Sequence, residues 1–266
     1  MEKSDLDRLL ELYIAASPDE RAKIFLSARE KTRQGLEALV LKDPGAYEGM
    51  VPQIFDPQTR LYSKTWFENV KLKDAIEKSQ RDDVPLSYIL FDLDKFHDFN
   101  NDYGHLMGDK AIELFTGLLK QSFRTVSRRE MNMTTPKELR TGDRRVKTPD
   151  FDAIGRLPNG ETPGGRVGYG DEFAIVLYNC DEENARKRVE AVLNEVRKIK
   201  IPYLDDEIGF TVSTGIAQYQ RGMTPKQLIG NADKSLIYSK REGRDRVTVF
   251  SQVPADFNFT PPSPLS

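Results

Sequence analysis

The segment Gly168-Tyr169-Gly170-Asp171-Glu172-Phe173 sets two carboxylates directly after a glycine-containing turn, and the apolar run Phe173-Ala174-Ile175-Val176-Leu177 follows them. This order predicts a β-hairpin with acidic side chains at its tip. A second acidic pair, Asp92 and Asp94, ends another apolar run, Tyr88-Ile89-Leu90-Phe91. Carboxylates gathered at the ends of neighbouring strands suit a hard divalent cation, which takes oxygen ligands. Two such ions can clamp the attacking and leaving oxygens of a phosphoryl or nucleotidyl transfer. A Gly-Asp pair before an apolar run also marks an ordinary hairpin, so this string alone leaves both readings open.

These acids need a scaffold. Apolar spacing predicts helices over 63–81, 105–126, 182–199 and 225–242. Runs rich in β-branched and aromatic residues predict strands over 86–91, 151–157, 172–178, 209–219 and 246–250. Thr224-Pro225-Lys226-Gln227 has the form of a capping box at the last helix. The core order βαββαβ is ferredoxin-like, and the same order builds nucleotide-polymerase palms. The expected class is therefore α+β: a palm-type central antiparallel sheet flanked by helices, over residues 46–250.

Residues 1–45 read as an N-terminal helical hairpin. Leu6, Leu9, Leu10, Tyr13 and Ile14 keep helical spacing, and Ser17-Pro18-Asp19-Glu20 is a helix start. The stripe continues through Ile24, Phe25, Leu36, Leu39 and Val40 until Asp43-Pro44-Gly45 breaks it. Two helices cannot bury such a stripe alone. They must pack on the following domain, on a second copy, or on a regulatory partner. Two insertions interrupt the core, a basic one over about 124–150 and a Gly/Pro-rich loop over about 158–168. Residues 251–266 carry prolines without periodicity and read as a disordered tail.

The chain has 266 residues, a formal net charge of −2 and one cysteine, Cys180. No disulfide can form within it, which fits a reducing cytosol. No apolar run approaches the ~18–20 residues of a membrane span, so a cytoplasmic location and no membrane contact are expected. The near-neutral balance does not point to nucleic acid, and the basic insertion is read as a solvated loop.

Taken together these residues resemble the GGDEF family of diguanylate cyclases over about 56–250. Asp56-Pro57-Gln58-Thr59-Arg60-Leu61 through Phe67 is similar to the family's opening D-x-L-T-G-L…F. Asp92, Asp94, Phe96, Asn100, Gly104-His105 and Gly108-Asp109 resemble its D-x-D-x-F…N…G-H-x-x-G-D block. Gly170-Asp171-Glu172-Phe173 matches the last four signature positions, and Ala232-Asp233 through Tyr238, Lys240, Gly243 and Arg244 match its closing motif. Four motifs in order, at compatible spacing, are a specific signal.

The resemblance implies joining of two GTP into cyclic di-GMP and pyrophosphate by a homodimer, each 3′-hydroxyl attacking the partner's α-phosphate. It implies Mg²⁺ or Mn²⁺ held by Asp92, Asp171 and the backbone carbonyl of Leu93, with Asp171 and Glu172 catalytic and Glu172 the candidate base. It implies guanine reading by Asn100 and Asp109, since a carboxylate accepts both N–H donors of the guanine edge and adenine lacks that pair. It places Lys240 and Arg244 on the terminal phosphates and His105 near the substrate. Asp94 is expected to be structural and His97 to lie at the surface. The sequence departs from the family at Tyr169, where the first signature glycine stands. It also departs at Pro149, where the arginine of the product-inhibition motif R-x-x-D would stand if Asp152 supplies its aspartate. The alternative reading is a catalytically weak GGDEF module that binds a guanine nucleotide and signals through its N-terminal helices.

Overall fold

The computed structural model describes Leu12 and residues 54–123, 152–157 and 170–259. The expected N-terminal hairpin, the basic insertion, and Gly168 and Tyr169 lie outside these residues. The strands are β1 (Tyr62–Ser63), β2 (Leu86–Leu93), β3 (Asp152–Leu157), β4 (Glu172–Tyr178), β5 (Ile201–Tyr203), β6 (Asp206–Ile208), β7 (Val212–Gln218) and β8 (Val247–Val249). The helices are α1 (Lys64–Trp66), which runs through a π turn (Phe67–Lys71) into α2 (Leu72–Asp82), then α3 (Phe96–Tyr103), α4 (His105–Ser122), α5 (Glu182–Val196) and α6 (Pro225–Arg241).

Six strands form one sheet in the order β1-β3-β4-β2-β7-β8, and β5 and β6 pair separately. The inner order β3-β4-β2-β7 is antiparallel throughout, which is the ferredoxin-like arrangement the sequence predicts. β1 joins β3 and β8 joins β7 in parallel.

β2 is buried along its whole length because both faces of the sheet are covered. Ile89, Phe91 and Leu93 enter a core with Phe115 of α4, Val189 of α5 and Phe173. Leu86, Tyr88 and Leu90 enter a second core with Leu72 of α2 and Leu228 and Leu236 of α6. By strand alternation Asp92 falls at the end of this second face. α6 starts from the capping box expected at Thr224 and Gln227. It lies hard against β7: a Cβ on Gly215 would stand 2.2 Å from the Ala232 carbonyl oxygen and 2.3 Å from the Leu236 nitrogen. Ser239 Oγ then donates to the Thr214 carbonyl at 2.8 Å, fixing the turn that carries Lys240.

Several expectations are corrected. α3 precedes α4, starting from Lys95 at a φ of 54° without a side-chain cap. β1 and the β5–β6 hairpin are too short for an apolar period to reveal. β2 runs to Leu93, so Asp92 sits inside the ladder and not after it. Residues 254–259, expected to lack fixed structure, lie on α6: the Phe257 ring meets Tyr238 edge-on at 4.9 Å, and the Arg241 guanidinium covers it at 5.2 Å. The aromatic pair Phe257 and Phe259 supplies the apolar area that the surrounding prolines conceal. No helix among the described residues is long and apolar enough to cross a membrane.

Candidate active site

Sheet register builds the acidic edge. Asp92 stands opposite Glu172 of β4 on one side and Ser213 of β7 on the other. The Leu93 N–H donates to the Asp171 carbonyl at 3.3 Å. Asp92, Leu93, Asp171 and Glu172, distant in sequence, therefore share one end of two adjacent strands. α6 brings a cation to them, with Lys240 Nζ 2.7 Å from Asp92 Oδ2.

The electrostatics follow from burial. The Asp92 side chain is 8% exposed. Desolvation, reinforced by Asp171 and Glu172, pushes its carboxyl up to about 7 against the opposing pull of Lys240. Glu172 is also raised, chiefly by burial and then by Asp171 and Asp233, with Lys240 opposing. Asp233 of α6 is raised by burial while Lys240 again opposes. Lys240 opposes all three raised carboxyls, and Lys64 also opposes the rise at Glu172.

Asp94 faces elsewhere. Its Oδ1 accepts from Ser213 Oγ at 2.6 Å, and its Oδ2 from Thr211 Oγ1 at 2.7 Å and from the Asp245 N–H at 3.1 Å. It ties β2 to the segment before β7 and to the turn after α6, the structural part expected of it. Arg244 follows Gly243 in that turn and is itself at a φ of 64°. It lines an open cavity of about 590 Å³ with Lys95, Asp98, Arg197 and Lys200. Neither Asp92 nor Asp171 lines that cavity. The fold therefore brings Lys240, and not Arg244, into contact with the acidic edge.

A second group lies on α3 and α4. Asn100 Oδ1 is buried and has no hydrogen-bond partner among the described residues. It rests on Gly108, where an added Cβ would stand 1.9 Å from it. Asp109 is exposed on the next residue, and its Oδ1 accepts from Gln58 Nε2 at 2.8 Å. His105 is exposed at the first position of α4, and His97 is exposed on α3, as expected.

Arg156 joins the two groups. It is 2% exposed on β3. Its Nη1 donates to Gln58 Oε1 at 2.7 Å and to Asp56 Oδ1 at 3.1 Å, and its Nε donates to the Gly170 carbonyl at 2.9 Å. Sequence reasoning passed over Arg156, Gln58 and Asp233 as site residues. The signal for Arg156 was present: a guanidinium directly after Ala153-Ile154-Gly155 in a strand must find acceptors inside the protein.

The family model for the diguanylate cyclase GGDEF domain matches residues 53–129 and 161–246. Diguanylate cyclase DgcP of Pseudomonas aeruginosa is 26% identical over 194 residues, covering 73% of this chain and 23% of that protein. Diguanylate cyclase A of Treponema denticola is 26% identical over 197 residues, covering 73% of this chain and 43% of that one. The chain thus spans less than half the length of these relatives. Among solved structures, the GGDEF domain of DgcB from Caulobacter crescentus, in complex with c-di-GMP, is similar with a TM-score of 0.57 at 21% identity, over 75% of this chain and 96% of that one. The ferredoxin-like sheet is therefore shared with known GGDEF domains, and the matched stretches include β2, β4 and α6, which carry the acidic edge. The chain belongs to the GGDEF-domain family.

Proposed function

We propose that this chain is a diguanylate cyclase that condenses two GTP into cyclic di-GMP and two pyrophosphates. The observation that carries the reading is the acidic edge: Asp92 buried in the ladder opposite Glu172, next to Asp171, with Lys240 paired to Asp92. A triphosphate approaching this cluster of carboxylates needs positive charge to offset its own.

The donor set fits a hard divalent cation, Mg²⁺ or Mn²⁺. Among the described residues no three His, Cys, Asp or Glu side chains form a closed metal cage. Mg²⁺ does not require one, because it is commonly held by one or two carboxylates together with substrate phosphates. Asp92, Asp171 and the Leu93 carbonyl would hold it, and burial of Asp92 among acids supplies the unmet charge. When bound, the ion would neutralise phosphate charge and make the 3′-hydroxyl a better acid.

The chain's own side chains take the other parts. Glu172 accepts the proton of the attacking 3′-hydroxyl, and its raised affinity for a proton suits that task. The new bond joins that oxygen to the partner's α-phosphorus as the bond to pyrophosphate breaks. Lys240 exchanges Asp92 for phosphate oxygens, and Arg244 reaches the terminal phosphate from the turn after α6. Asp109 and Asn100 receive the guanine edge, and His105 lies beside it. Both 3′-hydroxyls must face the other chain's α-phosphate, so two chains work together. Residues 1–45 would bring them together or receive a regulatory partner.

Pyrophosphate release from GTP, followed over a range of protein concentrations, tests this reading. Release should rise more steeply than linearly where dimers are dilute. GTP binding without any pyrophosphate release would instead identify a nucleotide-binding module without turnover.

A further inference from the structure

We propose that Gln58 is a specificity-determining residue that donates a hydrogen bond to the 6-position oxygen of guanine, an inference that rests on the guanine reading of Asp109. The opening motif of the family carries an apolar residue where this chain has Gln58, so the amide is a feature of this sequence. Its orientation is fixed from both ends. The Arg156 guanidinium can only donate, so the amide oxygen must face it, at 2.7 Å. The Asp109 carboxylate accepts, so the amide nitrogen must face it, at 2.8 Å. A glutamine free in solvent would present either end. This one presents N–H toward the residue that reads the base.

A purine edge has a fixed order of donors and acceptors. Guanine places its N1–H and N2–H₂ donors beside its O6 acceptor. With Asp109 Oδ1, the oxygen that Gln58 bonds, accepting from N1–H and Oδ2 from N2–H₂, O6 would lie at the outer flank of Oδ1, on the side open to Gln58. Gln58 Nε2 carries a second hydrogen for that position. Adenine offers an amino donor where guanine has O6, so the same fixed N–H opposes it. Arg156 is 2% exposed and also holds the Gly170 carbonyl at 2.9 Å. Gln58 is thereby referred to the same buried anchor as the turn that delivers Asp171 and Glu172.

Gln58 is exposed, so replacing it should leave the fold intact. The test compares binding of the 3′-deoxy 5′-triphosphates of guanosine, 6-thioguanosine and inosine, which lack the reacting hydroxyl and report affinity without turnover. 6-Thioguanosine keeps both donors but replaces O6 by a weak acceptor. Inosine keeps O6 but loses the N2 amino group. The unmodified protein should prefer guanosine over 6-thioguanosine by roughly three- to tenfold. In Gln58→Leu, and in Gln58→Glu, which keeps an acceptor for Arg156 but has no donor, that preference should fall below about twofold, while the penalty for inosine persists. An unchanged guanosine-to-6-thioguanosine ratio in both variants, or no such preference in the unmodified protein, overturns the role of Gln58 and leaves Asp109 as the reader. Failure of the unmodified protein to bind any guanine nucleotide overturns the guanine reading, and this inference with it.

Discussion

The acidic edge and the group proposed to read the base hold the same kind of side chain in opposite ways. Asp92 is 6% exposed, fixed between two antiparallel partners and raised to about 7. Asp109 is exposed on the surface of α4 and directed by one amide. A strand ladder places a carboxylate rigidly and strips its water, which strengthens its interaction with any cation that arrives. A helix surface leaves the carboxylate solvated, so neighbouring donors must supply direction. Charge chemistry fits the first setting and recognition of a hydrogen-bonding edge fits the second.

The contrast is broken most directly by removing one acid at a time. Asp171→Ala or Glu172→Ala should lower cyclic di-GMP formation by at least about a hundredfold with the far-ultraviolet circular dichroism unchanged. Asp109→Ser should instead lower discrimination of GTP over ATP by about 1–3 kcal/mol, read from the kcat/KM ratio of the two nucleotides. Should Asp171→Ala relax base discrimination as much as Asp109→Ser does, the two regions are not separate devices.

The next effect is on stability. Asp92 in the folded chain keeps its proton to about pH 7, whereas its ordinary value is 3.8. The folded state then binds more protons than the unfolded one between these limits. This stabilising contribution is complete below about 3.8 and is lost as pH rises to about 7. Asp92→Asn removes the cost of ionisation, so without divalent cations it should melt roughly 3–6 °C higher than the unmodified protein at pH 8, with the gap closing toward pH 4. Added Mg²⁺ should raise the melting temperature of the unmodified protein and leave Asp92→Asn unmoved. A constant gap across this pH range would show that Asp92 is not the titrating group.

Much of this was readable from the chain, for identifiable reasons. Runs such as Tyr88-Ile89-Leu90-Phe91 announce a strand because burial on both faces leaves no room for polar residues. The Thr224–Gln227 capping box announced α6 because both halves of it are local. α3 left a signal too, in Phe96, Phe99 and Tyr103, whose rings pack in succession at 6.4 and 5.0 Å. Its unusual start at Lys95 hid it. The Lys240–Asp92 pair joins residues far apart in sequence, and no local pattern encodes it. The sequence marked Asp109 through its motif but gave no hint that Gln58 would meet it, because that contact depends on the buried Arg156 of β3, which holds the other end of the amide.

The smallest expected effect sharpens the comparison at the base-reading side. Gly108→Ala puts a methyl group where Asn100 Oδ1 now lies. The side chain must shift, and KM for GTP should rise several-fold, on the order of 1 kcal/mol, with kcat little changed. A fall in kcat with KM unchanged would place Asn100 in the chemistry and not in base reading.

The proposed chemistry of the acidic edge is the joining of two GTP. The purified chain, incubated with GTP and Mg²⁺, should yield cyclic di-GMP and pyrophosphate by mass spectrometry, and the Glu172→Ala protein should yield almost none. A folded protein that binds GTP yet forms no cyclic di-GMP, or a Glu172→Ala protein that forms it as fast, would contradict the account.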